Sequence, residues 1–335
     1  MVRSLKLENA AISDDDAEKE VEKNLGRVYE LKKKIHKRLG LEDIDPADDG
    51  LVDDDMILSP DQIDALIDSI DNPKEIPETP GDYKQKRSAS IYFEDRPLRL
   101  WKNMPIRYWI SPELTGTEQQ LIDEGLKNIT LIAPCITFKK DAAQLSSGNQ
   151  IQYKKVALQC GGNSQVGRVG INTINLGNAG GKQCPDVVYK GKVMHETIHA
   201  LGGFHEHSRM DRDRYIEIIW DNIDPQRANN FEINDLSTSY GVPYDPRSRM
   251  HYARVSFPVS PGLETIRPLD PNFELAGPYL TPGDILQLNR MYCVHDTCVD
   301  NSQYCGNWAA VGNYCETEQW GQWMKQNCAR SCGTC

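Results

Sequence analysis

Residues 195–213 read His-Glu-Thr-Ile-His-Ala-Leu-Gly-Gly-Phe-His-Glu-His-Ser-Arg-Met-Asp-Arg-Asp and hold four of the chain's seven histidines. On a helix, His195 and His199 rise from one face with Cβ atoms about 5–6 Å apart. Nitrogens of both rings can then reach one zinc ion at about 2.0–2.1 Å. Glu196 lies about 100° round the helix, close enough to touch a water at the metal without being forced to ligate it. Gly202 and Gly203 tolerate the left-handed turn that ends a helix, and the returning chain brings His205 in as a third ligand. Three protein ligands leave one position open, the catalytic form of a zinc site rather than the closed structural form. The pentad His-Glu-x-x-His arises by accident in unrelated chains, and a lone surface histidine usually binds nothing. The full His-Glu-x-x-His-x-x-Gly-x-x-His is far rarer and points to a metal site.

The chain has 335 residues, enough for a substantial core and one or two smaller units, and a net charge of −11. Residues 1–87 hold 23 Asp/Glu and 14 Lys/Arg, a balance of −9, so the rest carries −2. An acidic segment before a nearly neutral body argues against nucleic acid and suggests a detachable piece. No apolar run approaches the length of a transmembrane segment. All ten cysteines fall between Cys135 and Cys335, which implies disulfides and an oxidising, extracellular destination. Residues 1–12 contain no apolar stretch of the length a signal peptide needs, so secretion is expected on the cysteines alone. Asn128-Ile129-Thr130 is a glycosylation acceptor on the same reading.

Along the chain, Val21, Leu25, Val28, Leu31, Ile35 and Leu39 mark an amphipathic helix over residues 14–39. Residues 42–55 carry eight acids, and residues 72–81 read as an extended linker. Lys84-Gln85-Lys86-Arg87 closes that linker at the charge step, a pattern that processing convertases cut. Residues 104–110, 149–156, 173–176 and 214–220 read as strands. Thr117 and Gln120 form a capping box opening a helix with Ile122, Leu126, Ile129 and Ile132 on its apolar face. The metal helix spans 187–201. A last helix opens at Thr281-Pro282-Gly283-Asp284, a capping residue with proline in the first turn, and runs to Tyr292.

With Ser248-Arg249-Met250-His251-Tyr252 set beside the histidine stretch, residues 88–296 resemble the astacin family of metzincin zinc endopeptidases. The family pattern is met at His195, Glu196, His199, Gly202, His205, Glu206, Arg209, Asp211, Arg212 and Asp213. Gly203 departs from it, standing where the family has phenylalanine. The resemblance implies an α+β fold of the metzincin type: a twisted mixed sheet, an active-site helix and an irregular C-terminal subdomain. It implies Met250 as the floor of the site, Tyr252 as a phenol beside the metal, and disulfides joining Cys135 to Cys293 and Cys160 to Cys184. Glu206, in such proteins, holds the amino terminus released by propeptide removal. Family propeptides silence the zinc with the aspartate of a Phe-x-Gly-Asp motif, and Val52-Asp53-Asp54-Asp55 resembles a degenerate copy, which makes Asp55 the candidate switch.

Cys298, Cys305, Cys315, Cys328, Cys332 and Cys335 lie in a segment too poor in apolar residues to bury a core unaided. Six cysteines allow 15 connectivities, and spacing does not choose among them. The ending Cys-Ala-Arg-Ser-Cys-Gly-Thr-Cys resembles the sea-anemone-toxin-like module (ShKT) found behind nematode astacins, which implies 298 with 335, 305 with 328, and 315 with 332. The toxin's channel-blocking lysine is absent, since Gln322 and Trp323 stand at its Lys-Tyr pair. The expected organisation is an acidic propeptide at 1–87 cut after Arg87 by a convertase, a zinc peptidase domain at 88–296, and a six-cysteine module at 297–335. The expected function is a secreted zymogen that binds one zinc ion and hydrolyses internal peptide bonds of extracellular proteins. Glu196 is its base and Tyr252 a donor to the oxyanion. The rival is a secreted binding protein whose zinc site is a relic.

Overall fold

The structure is a computed structural model that describes residues 14–73, 100–156, 162–178, 188–234, 237–294, 298, 300–302 and 304–335. The basic cluster ending at Arg87, Ser88, Cys160 and Cys184 lie outside the described residues. Two compact units are present: Met1–Asp64 with Leu98–Gly203, and Ala65–Pro97 with Phe204–Cys335.

The first unit is built on a six-stranded mixed sheet in the order β1-β5-β6-β4-β2-β3. The strands are β1 (Met56–Ile57), β2 (Ile106–Ile110), β3 (Phe138–Lys140), β4 (Gln150–Val156), β5 (Asn163–Gln165) and β6 (Ile171–Asn178). All neighbours are parallel except β5 and β6. In β2 the pattern is strict: Ile106, Tyr108 and Ile110 are buried while Arg107 is exposed, the period of two that a half-covered strand requires. It begins at Ile106 rather than residue 104, because Pro105 has no N–H to give a ladder. Helices α3 (Gly116–Ile132) and α4 (Lys190–Ala200) pack closely enough that a Cβ on Gly125 would lie 2.9 Å from Val193 Cγ1. Their buried Ile122, Leu126, Ile129, Val193 and Ile198 join Ile151, Tyr153 and Ile174 of the sheet in the core of this unit.

The cap of α3 differs from expectation. Thr115, two residues before Thr117, is the N-cap, and Glu118 closes the box by accepting from the Thr115 N–H at 2.7 Å. Two overlapping capping patterns compete here. The charged Glu118 wins over Gln120 because a carboxylate in the first turn also meets the helix dipole.

Ahead of these elements, α1 (Asp14–Arg38) buries Val21, Val28, Leu31 and Ile35, with Leu25 and Leu39 half-buried. The acidic stretch after it is partly a staple rather than a solvated loop. Buried Lys32 donates to Asp49 Oδ1 at 2.6 Å and to the Ala47 carbonyl, and Lys33 pairs with Asp45. The chain then makes a tight turn between Val52 and Met56, whose backbones exchange hydrogen bonds of 2.9 and 3.0 Å. Asp53 (φ 45°) and Asp54 (φ 70°) take the left-handed conformation inside it, which aspartate tolerates better than most residues. After β1 comes α2 (Pro60–Asp71).

The second unit has less regular structure. A two-stranded ribbon pairs β7 (Ile216–Ile218) with β8 (Ile266–Pro268), and α5 (Pro282–Tyr292) starts at the Thr281 capping box as expected. The C-terminal module holds α6 (Cys305–Val311), α7 (Gly321–Asn327) and α8 (Ala329–Cys332). Its disulfides are 298–335, 305–328 and 315–332, around buried Trp308 and Met324. Cys135 and Cys293 are each disulfide-bonded. The module is seated on residues 238–242: a Cβ on Gly306 would lie 2.8 Å from Thr238 Oγ1 and 3.1 Å from the Tyr240 nitrogen. One on Gly241 would overlap the Ser331 carbonyl. Arg290 of α5 donates from Nη1 to the Tyr240 carbonyl at 2.8 Å and the Ser331 carbonyl at 3.1 Å.

Candidate metal centre

Helix α4 carries the first two histidines in the predicted geometry: His199 Nε2 lies 3.2 Å from His195 Nε2. The helix stops where expected. Gly202 (φ 104°) turns the chain, and the Gly203 N–H returns to the Ile198 carbonyl. That turn also orients the His199 ring, whose Nδ1 donates to the Gly203 carbonyl at 2.8 Å. The Nδ1–H tautomer leaves the Nε2 lone pair for a metal. A Cβ on Gly203 would overlap Ile198 Cγ2. The departure from the family's phenylalanine therefore goes with Ile198 filling the space beneath.

Around the helix, Tyr153 and Thr197 share a hydrogen bond of 2.9 Å, and Trp101 Nε1 donates to the Ala200 carbonyl at 2.8 Å. Burial holds the Tyr153 phenol well above the ordinary tyrosine range, so it stays neutral. Spacing gave no sign of these partners, since they arrive from β4 and from the start of the peptidase region.

Asp55 comes to the same place from the turn before β1. Its Oδ2 is 3.0 Å from His195 Nε2 and its Oδ1 3.5 Å from His199 Nε2. Within this unit Asp55, His195 and His199 each offer a ligand atom to one point. The donor set passes a simple test for zinc. Ligand atoms about 2.0–2.1 Å from a tetrahedral ion stand about 3.3 Å apart, and the spacings among Asp55, His195 and His199 run from 3.0 to 3.5 Å. Two imidazole nitrogens turned toward each other and toward a carboxylate are crowded lone pairs that one shared cation reconciles.

In the second unit, Tyr252 stacks on His207 with ring centroids 3.7 Å apart and packs beside His205 and Phe257. Met250 is buried at 3% exposure, and its carbonyl accepts from the Glu206 N–H at 2.8 Å. Asp284 ties the turn to α5, accepting from Ser248 Oγ at 2.6 Å and the Arg249 N–H at 3.0 Å. Sequence reading missed this anchor because it treated Asp284 only as a helix-start residue. His251 donates from Nδ1 to the Tyr252 carbonyl and accepts the Tyr244 hydroxyl at Nε2, 2.6 Å away. Burial drops its pKa to about 4, so it is neutral in this role. Glu206 accepts from Arg209 Nη1 at 2.9 Å and from the Asp245 N–H at 2.8 Å. Burial pushes its pKa up to about 7 against the opposing pull of Arg209. Asn128 lies half-buried on α3.

A family model described as Astacin, a peptidase family, matches residues 93–293. The chain belongs to the astacin family. A second model, ShK domain-like, matches residues 297–335 of this astacin. Zinc metalloproteinase nas-9 of Caenorhabditis elegans is 35% identical over 323 residues, covering 92% of this chain and 57% of that protein. Zinc metalloproteinase nas-10 of the same organism is also 35% identical, over 322 residues, 92% of this chain and 58% of its own length. This astacin chain thus spans under three fifths of either relative. Among solved structures it is similar to high choriolytic enzyme 1, a hatching enzyme zinc-protease of Oryzias latipes. The TM-score is 0.51 and the identity 32%, over 59% of this chain and 96% of that one. The expected α+β architecture and stapled module are present, and among the described residues no helix is long and apolar enough to cross a membrane.

Proposed function

We propose that this chain is a secreted zinc endopeptidase, latent as folded here, that hydrolyses internal peptide bonds of extracellular proteins once its first 87 residues are removed by a convertase acting after Arg87. One observation carries the reading: the carboxylate of Asp55 lies 3.0 Å from His195 Nε2 and 3.5 Å from His199 Nε2, on the two helical histidines of the metal motif. His195, His199 and His205 would hold the zinc. When bound, zinc supplies a Lewis acid that makes water a nucleophile near neutral pH and polarises a carbonyl.

The remaining chemistry belongs to the chain. Glu196, 3% exposed, takes the proton from the attacking water and gives it to the departing amine. A positioned base of this kind is worth about 10²–10⁴ in rate. The Tyr252 phenol, held by its stack on His207, donates to the oxyanion. Asp55 blocks the position the attacking water needs and is withdrawn with the propeptide. Glu206 exchanges its present partners for the new amino terminus. The pairing of Cys135 with Cys293 and of Cys160 with Cys184 completes the peptidase domain at 88–296.

Glu196→Gln keeps the side chain's shape and removes the base. Casein cleavage by the processed chain should fall by about 10²–10⁴ with zinc content unchanged, and chelator should abolish wild-type cleavage. A variant that cleaves at the wild-type rate sinks the mechanism. A wild type with no chelator-sensitive cleavage favours the relic site.

A further inference from the structure

The catalytic carboxylate has a neighbour that no motif records. Gly162 stands immediately before β5, and an added Cβ there would overlap Glu196 Oε1 and lie 2.6 Å from Glu196 Cδ and 2.9 Å from Cγ. All three nearest atoms thus belong to one side chain. What demands glycine here is the carboxyl group of Glu196, which rests against the bare backbone.

The residues after Gly162 are held in the sheet, with Asn163 opposite Asn175 and Ser164 opposite Ile174. Glu196 projects from α4, whose backbone is pinned by the Gly167 N–H to the His199 carbonyl and by Trp101 to the Ala200 carbonyl. Between a fixed strand and a fixed helix, the mobile part is the end of the Glu196 side chain, with its rotatable torsions.

We propose that Gly162 is a positioning residue for the general base: by lacking a side chain, it sets where the Glu196 carboxylate sits relative to the three histidines. The inference rests on the reading of Glu196 as the base. A methyl group at 162 displaces the carboxylate by about an ångström, a misplacement worth up to about 10²-fold in rate. It leaves strand, helix and imidazoles where they are.

The test is Gly162→Ala in the full chain activated with trypsin, alone and combined with Glu196→Gln. The expected result is a 10- to 100-fold loss in kcat for a fluorogenic peptide with KM little changed, one zinc per chain by atomic absorption, and an unaltered melting temperature. In the Glu196→Gln background, Gly162→Ala should have no further effect, since the group it acts through is gone. A second readout needs no turnover: calorimetric binding of a peptide hydroxamate, which chelates zinc and hydrogen-bonds the base. It should weaken about tenfold in Gly162→Ala and not at all between Glu196→Gln and the double variant. Activity within twofold of the parent overturns the proposal, as do a loss additive with Glu196→Gln, loss of zinc, or failure to fold. If the parent itself does not turn over, the functional reading fails and hydroxamate binding alone decides the role of Gly162.

Discussion

Glu206 illustrates what burial does to a single carboxylate. Its pKa is raised from 4.5 to about 7, chiefly by loss of solvent. The folded state therefore binds a proton that the unfolded state has released over that window. Stability from this group is full below about pH 4.5 and is lost as the pH rises to about 7. Glu206→Gln abolishes that slope. Urea unfolding of parent and variant at pH 5 and pH 7.5 should show the difference between them changing in the variant's favour as pH rises, and an unchanged difference would show that Arg209 fully compensates the charge. Arg209 is not stranded by the substitution, because Asp211 takes it bidentately at 2.9 and 2.8 Å. The histidine motif was legible at this scale because its residues are local: His195 and His199 share one helix face, and the glycine turn follows directly. Gly162 and the tie from Asp284 to Ser248 and Arg249 were not legible, since each acts on a residue more than 30 positions away in sequence.

At the scale of elements, long periodic segments were read within a few residues, and short ones escaped. The two-residue β1 and three-residue β5 carry too few side chains to display a period. The acids around Asp55 hid a turn that reads as solvated loop. In that turn Asp54, immediately before Asp55, has φ 70°, a conformation glycine adopts most readily. β1 then pairs with β5, its neighbourhood accepting from the Ser164 and Val166 N–H groups through the Asp55 and Ile57 carbonyls at 2.9 and 3.2 Å. Backbone pairing covers the sheet edge while the side chain of Asp55 lies against His195 and His199. An Arg87→Ala chain, uncut, should stay silent, and Asp55→Ala in that background should show peptidase activity in a casein assay. If both remain equally inactive, cover by the strand alone suffices and the carboxylate is dispensable.

For the molecule as a whole, the C-terminal module is not a bead on a string. Arg290 joins α5 to both Tyr240 and Ser331, and Arg330 lies 5.9 Å above the Tyr240 ring. Arg290→Ala removes two hydrogen bonds from a charged donor, a loss of about 2 kcal/mol. Limited proteolysis should then release a fragment beginning near residue 297, which the parent resists. Resistance equal to the parent's would mean the glycine contacts hold the module unaided. The turn that presents Asp55 has a consequence of another kind. On the proposed reading blocker and site are one polypeptide, so occupancy is set by the tether's effective concentration, up to about the millimolar range, against the segment's own dissociation constant, and not by how dilute the protein is. Once the chain is nicked, the same segment becomes a ligand that must find its site by diffusion. Freshly cut enzyme should therefore gain specific activity on dilution, measured as turnover per molecule against concentration, and activation becomes as much a matter of volume as of cleavage.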